Sequence, residues 1–313
     1  HAYRARVDER MRLLLSRAGG AFYEQAALAI ELGTHHEQQH QELLLTDIKH
    51  NFWVNPLFPA YRSDLPQSSA ASAPLQWCDY EGGLGEIGRH GEGFAYDNEW
   101  PRHRVYVEPY RLASRLVNNG EFAAFIDDGG YRRPELWLSD GWATVQQQQW
   151  QAPLYWLKQD GDWWHFTLAG LRRLNEHEPV AHLSYYEADA YARWAGYRLP
   201  TEQEWELTAA DVVLSGNLRD SGRLHPAPAE GEGLQQLFGD LWEWTASPYT
   251  PYPGYRAPAG ALGEYNGKFM CNQMVLRGGS CATPAEHIRA SYRNFFYPHE
   301  RWQFKGVRLA EDG

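Results

Sequence analysis

The first fifty residues place apolar side chains at the spacing of an α-helix. Between residues 3 and 18 they recur about one turn apart, and the pair Gly19-Gly20 then breaks the pattern. A second stretch rich in helix formers extends from about Phe22 to Phe52 and ends before Pro56, whose ring prevents continuation. The pattern therefore predicts a hairpin of two helices.

The residue composition and the periodicity of apolar positions change beyond this hairpin. Residues 61–76 concentrate Pro, Ser and Ala without periodicity, which predicts a linker. From Trp77 onward, short aromatic and β-branched segments alternate with Gly and Pro turns around one clear helix, SYYEADAYARWAG. We therefore predict an α+β chain with a helical domain at 1–60, a linker at 61–76 and a second domain at 77–313.

Composition narrows the function. The net charge is −11 and no basic stripe is present, which argues against nucleic acid or an anionic membrane as a partner. Neither a signal peptide nor a long apolar run is found, and three scattered cysteines suit a reducing compartment, so we expect a cytoplasmic protein. The 14 Trp and 19 Tyr supply core volume and could form a pocket for an organic cation.

Two histidines of the second helix are candidate metal ligands. At 100° per residue, His36 and His40 fall about 40° apart on one face, so two imidazoles can reach a single ion. Glu42 lies about 160° from His40 by the same arithmetic and is better interpreted as a supporting or packing residue. A third ligand must come from another element. Alternatively, the pair lies on a solvated helix face and binds nothing.

The residue types between the histidines leave two metal chemistries open. Neutral imidazoles with open coordination positions suit Fe(II) and O2. The segment HEQQH also matches the HExxH motif of zinc proteases, in which the Glu acts as a base. The residues by themselves exclude neither chemistry.

Several segments together resemble one enzyme family. HHEQQHQELLLTDIKH, PVAHLSYYEADAYARWAGYRLPTEQEWELTAA, LWEWTASPY, VLRGGSCATP and YRNFFYPHERWQFKGVRLA are similar to blocks of the iron(II)-dependent sulfoxide synthases of ergothioneine biosynthesis. Members of that family join a DinB-like helical bundle to a C-type-lectin-like domain of the formylglycine-generating, sulfatase-modifying type. The resemblance implies the same two-part architecture here.

The resemblance also implies a reaction and a site. His36 and His40 match two of three iron-binding histidines, and Gln39 matches a contact to the histidine-derived substrate. The third ligand and the catalytic residues would lie upstream of His1, so we expect an N-terminal segment to be missing. The implied reaction uses Fe(II) and O2 to join a thiol to Nα-trimethylhistidine as a sulfoxide.

The C-terminal segment Asn294-Phe295-Phe296 matches a stretch that lines the substrate pocket in this family. Its amide suits the substrate carboxylate, and its rings suit the trimethylammonium group; the alternative role for either Phe is core packing. Some members carry an acid and a nearby base where this chain has Phe296 and Glu300. The thiol is therefore cysteine or γ-glutamylcysteine, with the altered positions pointing to free cysteine.

Other functions remain open at this point. A selenoneine-type or ovothiol-type synthase would share the iron site. A formylglycine-generating oxidase needs a reactive cysteine pair after the Gly-Gly-Ser block, where this chain has Cys281 alone. A lectin-like binding module without catalysis would have no use for the histidine pair. We also predict that Arg277-Gly278-Gly279-Ser280 is a structural turn and that Trp242 and Trp244 belong to the core.

Overall fold

The computed structural model describes residues 1–17, 19, 21–259 and 264–313. Helices and short strands are mixed along it, which confirms the predicted α+β class. The helices are α1 (Ala2–Ser16), α2 (Ala21–Trp53), α3 (Asn119–Asp127), α4 (Ser139–Gln148), α5 (Tyr185–Trp194), α6 (Glu202–Ala209) and α7 (Glu264–Gly267). The strands are β1 (Trp77–Tyr80), β2 (Gly83–Ile87), β3 (His103–Val107), β4 (Tyr110–Ala113), β5 (Trp156–Gln159), β6 (Asp162–Thr167), β7 (Gly170–Arg173), β8 (Trp242–Pro248), β9 (Met274–Arg277), β10 (Asn294–Phe296), β11 (Lys305–Gly306) and β12 (Ala310–Asp312).

The chain divides into two compact units, residues 1–40 and residues 41–313. Helix α2 contributes to both, whereas the sequence pattern placed the end of the helical domain at residue 60. Glu42 and Lys49 explain the earlier division, because both are buried and hydrogen-bond to residues after 180. The last three turns of α2 are therefore part of the larger unit.

The segment predicted to be a linker has no helix or strand but packs closely on the second unit. The backbone N–H groups of Tyr61 and Arg62 donate to the carbonyl of Leu168, at 2.9 and 3.1 Å. Leu65 is buried in an apolar cluster of that unit. Absence of periodicity correctly predicted irregular backbone here, but the segment is held by contacts along its length.

Among its described residues, the second unit contains four small sheets, in the orders β1-β4-β12, β10-β9-β8-β11, β2-β3 and β5-β6-β7. In the four-stranded sheet, β11 runs parallel to β8, with Lys305 opposite Trp242. Strand β10 pairs antiparallel with β9, with Phe295 opposite Val275. These pairings bring Lys305 beside a residue 63 positions earlier in the chain and Phe295 beside one 20 positions earlier.

Two helices of the second unit begin with reciprocal caps that the sequence encodes. Ser184 accepts from the backbone N–H of Glu187, whose carboxylate accepts from the N–H of Ser184. Thr201 and Glu204 repeat the arrangement at α6. Each pair satisfies donors that the first helical turn leaves free, so α5 and α6 start at defined residues.

The core of the second unit is aromatic, and Trp242 and Trp244 are both fully buried in it, as predicted. The Gly-Gly turn is also confirmed. Gly278 has φ +96°, and a Cβ there would lie 2.6 Å from the carbonyl oxygen of Leu237, so only glycine fits. In the described part of the chain, no helix has both the length and the apolar character required to cross a bilayer.

Candidate functional site

Two histidine rings lie side by side on α2, within the first compact unit. The ring centroids of His36 and His40 are 4.5 Å apart, with an interplanar angle of 60°. This proximity follows from the four-residue spacing, which returns to nearly the same helix face after one turn. The structure thus brings the two predicted ligands together.

Burial and charge favour a neutral imidazole at His36. His36 is half-buried and His40 is exposed. Desolvation lowers the pKa of His36, and the nearby His40 lowers it further, whereas Glu37 acts in the opposite direction. A neutral ring offers the lone pair that a metal requires. The pair therefore fits two positions in the ligand set of a divalent metal.

Gln39, the predicted substrate contact, is half-buried on the same helix. It belongs to residues 1–40, whereas Asn294 and Phe295 belong to residues 41–313. The expected convergence of these three side chains near a metal stays a prediction.

A group of three potential metal ligands lies in the second unit. It was not predicted from the sequence. His165, Glu178 and His225 are buried, and their ligand atoms all lie within 4.8 Å of one another. Within the ranges that the structure describes, no comparable group of three contains His36 or His40. The three residues come from separate stretches of chain, so no local spacing could have revealed them.

Glu42 is fully engaged in the second unit. Its Oε1 accepts hydrogen bonds from Trp242 Nε1 at 2.8 Å and Ser280 Oγ at 2.7 Å, and its Oε2 accepts from Thr283 Oγ1 at 2.7 Å. Burial raises the pKa of this carboxyl, while the three donors oppose the rise. Glu42 thereby attaches α2 to β8 and to the turn after β9.

We expect Glu42→Gln to destabilise the protein by about 1–3 kcal/mol, because the amide replaces one buried acceptor with a donor. Urea denaturation followed by tryptophan fluorescence measures this effect. Glu37→Gln is the matched control, since Glu37 is an exposed carboxylate on the same helix. Loss of metal binding at unchanged stability would instead make Glu42 a ligand and refute the helix-angle argument.

The predicted substrate residues Asn294, Phe295 and Phe296 form β10, and all three are partly exposed. The Phe295 ring stacks on Tyr249, with centroids 4.1 Å apart and planes 8° apart. It also packs on Phe269 at 5.8 Å. Tyr249 covers one face of Phe295, so a bound cation must approach the rest of the ring.

Phe296 already carries a cation of the protein itself. Lys305 Nζ lies 4.2 Å from the Phe296 centroid and 4.7 Å from that of Trp244. The side chain of Lys305 is buried, and burial lowers its pKa to about 7; its Nζ donates to the carbonyl of Glu300 at 2.8 Å. Phe295 is therefore better suited than Phe296 to an external ammonium group.

A buried charge network fixes the start of β10. Arg293 donates to both oxygens of Glu202, at 3.0 and 3.1 Å, and Arg277 donates to the same carboxylate at 3.0 Å. Burial would raise the pKa of Glu202, but the two guanidinium groups outweigh it and hold the pKa below its ordinary value. Asn294 therefore follows a residue whose side chain is held rigidly.

The comparisons with known proteins agree on the second unit. The sulfatase-modifying factor enzyme 1-like domain matches residues 80–221 and 224–313. The protein named Hercynine oxygenase from Mycolicibacterium thermoresistibile is 39% identical over 247 residues, which make up 71% of this chain and 55% of that protein. The chain thus spans little more than half the length of this relative.

Two further proteins are similar to parts of this chain. The protein named Formylglycine-generating enzyme from Streptomyces coelicolor is 30% identical over 233 residues, covering 61% of this chain and 73% of that protein. The solved structure of PvdO from Pseudomonas aeruginosa superposes with a TM-score of 0.53 at 16% identity, covering 78% of this chain and all of that one. The second likeness concerns the fold alone.

Proposed function

The chain belongs to the family of the sulfatase-modifying factor enzyme 1-like domain, and from that membership we propose that it acts as an iron-dependent oxygenase in ergothioneine biosynthesis. In this proposal His36 and His40 supply two iron ligands, within a DinB-like helical part. The substrates are Nα-trimethylhistidine, a thiol and O2. The thiol is cysteine or γ-glutamylcysteine.

The observation that carries the proposal is the paired imidazoles of His36 and His40, in a chain 39% identical to a hercynine oxygenase. Two imidazoles on one helix face are ligands that Fe(II) accepts, and they leave room for further ligands. Bound Fe(II) would supply the template on which thiol, imidazole and O2 meet, and a redox centre through which electrons from the two organic substrates could reach O2.

The proposed reaction balances without another reductant. The thiol loses its hydrogen and the imidazole carbon loses its own, while a C–S bond and an S–O bond form. One atom of O2 enters the sulfoxide, and the other leaves as water with the two hydrogens. The residues of this chain then have to bind and orient two organic substrates and keep their reacting atoms together.

Side chains of β10 have suitable chemistry for binding trimethylhistidine. The quaternary ammonium has no hydrogen to donate, so its recognition depends on aromatic faces such as that of Phe295. The Asn294 amide can donate to the substrate carboxylate. In the observed strand, Asn294 Oδ1 accepts from the backbone N–H of Phe295 at 2.9 Å, which leaves the amide nitrogen to act as that donor.

A formylglycine-generating activity is the second candidate, and the cysteines disfavour it. Cys281 follows the Gly-Gly-Ser block but is completely buried, and burial raises its thiol pKa well above the usual range. A protonated, enclosed thiol is a poor nucleophile. The sequence contains two other cysteines, Cys78 and Cys271, and neither follows that block.

Substrate binding and oxygen uptake test the proposal. The Fe(II)-loaded protein, kept anaerobic, should bind trimethylhistidine more tightly than histidine in calorimetric titrations. Oxygen consumption should then require both trimethylhistidine and a thiol. Equal affinities for the two ligands, or oxygen uptake that is independent of trimethylhistidine, would rule the proposal out.

Phe295→Ala should weaken trimethylhistidine binding by roughly 0.5–2 kcal/mol, because one aromatic face for the cation is lost. Phe295→Trp should largely preserve binding, since indole is the stronger cation partner. Calorimetry with histidine as the matched ligand separates cation recognition from loss of packing, and circular dichroism checks the fold of both variants. An Ala variant that loses affinity equally for both ligands would assign Phe295 to packing.

A further inference from the structure

The buried group of His165, Glu178 and His225 has the composition of a metal site, with two imidazoles and one carboxylate. Glu178 and His165 already accept hydrogen bonds from another side chain. Arg172 Nη2 donates to both oxygens of Glu178, at 3.0 and 2.9 Å, and Arg172 Nε donates to His165 Nε2 at 3.0 Å. A guanidinium keeps all its protons. Arg172 therefore occupies the place that a metal cation would need.

Glu178 also determines the tautomer of His225. His225 Nε2 lies 2.9 Å from Glu178 Oε2. Burial lowers the pKa of His225 well below its usual range, and Arg172 and Lys49 lower it further, so the ring is neutral. The carboxylate can only accept, which places the proton on Nε2 and leaves a lone pair on Nδ1. That Nδ1 is buried and has no hydrogen-bond partner among the described residues.

Lys49 extends from α2 toward the same histidines and has N–H donors without an acceptor. Its Nζ lies 2.6 Å from His182 Nε2, and the ring centroids of Tyr155 and Phe304 each lie 4.9 Å away. Burial lowers the pKa of Lys49 to about 7; the amine has two N–H donors and the ammonium three, and His182 accepts one of them. The aromatic faces stabilise the charge without replacing the missing acceptors. Lys49 thus needs a further polar partner.

The spare donors of Lys49 and the unpaired Nδ1 of His225 belong to residues that line one small internal cavity. It has a volume of about 10 Å³, and His165 and His182 also line it. That volume accommodates about one water molecule. An anion would meet the lone pair of His225, and a cation would meet the positive charge of Arg172 and the N–H donors of Lys49. A neutral molecule that both accepts and donates hydrogen bonds suits the cavity better than either ion.

We propose that this cavity is a binding site for one water molecule, which accepts a hydrogen bond from Lys49 and donates one to His225 Nδ1. The water supplies a second hydrogen-bond partner for Lys49 Nζ, beside His182, and a first one for His225 Nδ1. It also links α2 to the loop that carries His225, beside the direct contact between Lys49 and His182. This site is independent of the proposed iron chemistry.

A high-resolution crystal structure of the unmodified protein tests the site directly. We expect one density peak within about 2.7–3.2 Å of both Lys49 Nζ and His225 Nδ1. An empty cavity would overturn the proposal. So would a peak with anomalous signal lying about 2.0–2.3 Å from His165, Glu178 and His225, because those are metal–ligand distances.

Water ¹⁷O relaxation dispersion, which counts long-lived internal waters, provides a second measurement. His225→Phe should contain one fewer such water than the unmodified protein. His177→Phe is the matched control, since His177 is exposed and lies next to Glu178, and its count should not change. An unchanged count in folded His225→Phe would contradict the proposal, and the crystallographic result decides the case if that variant does not fold.

Discussion

Replacing either His36 or His40 with Ala should eliminate stoichiometric iron binding and lower turnover by more than about 100-fold. Loss of a residue that merely supports a ligand already costs about 10–100-fold in metal affinity or activity, so loss of a direct ligand should exceed that range. Elemental analysis of the reconstituted protein measures the iron content, and an oxygen electrode measures turnover.

His35→Ala is the matched control for this prediction. His35 precedes the pair on the same helix, about 100° from His36, so its removal should leave iron binding intact. Circular dichroism establishes that all three variants retain helix α2. Full iron occupancy in both His36→Ala and His40→Ala would show that the pair does not form the metal site.

Glu202→Gln should destabilise the protein by about 3–5 kcal/mol, because it removes a buried charge from Arg293 and Arg277. Both arginine side chains are completely enclosed, and only Arg277 has another carboxylate partner, Glu206, at 2.8 Å. Chemical denaturation measures the loss. Glu135→Gln is the control: its ion pair with Arg133 is exposed, so its loss should leave the stability nearly unchanged.

The stability of the protein at low pH should also depend on the ion pairs of Glu202 with Arg293 and Arg277. Since the folded-state pKa of Glu202 lies below its ordinary value, its ionised form stabilises the folded state at neutral pH. That contribution is lost as the pH falls below about 4.3 and through the folded-state pKa. The unmodified protein should therefore lose stability more steeply in acid than Glu202→Gln. Equal stability of Glu202→Gln and Glu135→Gln, or parallel acid profiles, would contradict this account.

The sequence was most informative where structure depends on neighbours along the chain. Helices α1 and α2 follow from apolar spacing and helix-forming residues, and α5 begins at the cap residue Ser184. The adjacency of His36 and His40 follows from one helical turn. The Gly278 turn was predictable for the same reason, since its positive φ is a local property. Features of this kind need no knowledge of the rest of the fold.

Long-range contacts could not be predicted in this way. Glu42 meets Trp242, Ser280 and Thr283, all at least 200 positions away, and nothing near Glu42 identifies those partners. The compact units divide after residue 40, and burial of the last turns of α2 depends on these contacts. For Lys49 the sequence contains only a weak indication of a buried position. It lies about 180° from His40 on the helix, and no carboxylate that could pair with it follows nearby.

The same limit applies to the proposed substrate strand. The sequence shows aromatic side chains at positions 295 and 296, but it does not show which residues pack against their rings. Tyr249 covers one face of Phe295, and Lys305 lies over Phe296. Which of two adjacent rings is suited to an external cation therefore depends on sheet pairing and packing, and only the folded chain distinguishes them.

The fate of molecular oxygen tests the proposed function most directly. The Fe(II)-loaded protein is given trimethylhistidine, ¹⁸O₂ and either cysteine or γ-glutamylcysteine, and the products are analysed by mass spectrometry. We predict a product that joins both substrates through a C–S bond and contains one labelled oxygen, and that is absent with His36→Ala or His40→Ala. Consumption of ¹⁸O₂ that yields oxidised thiol but no joined product would contradict the account.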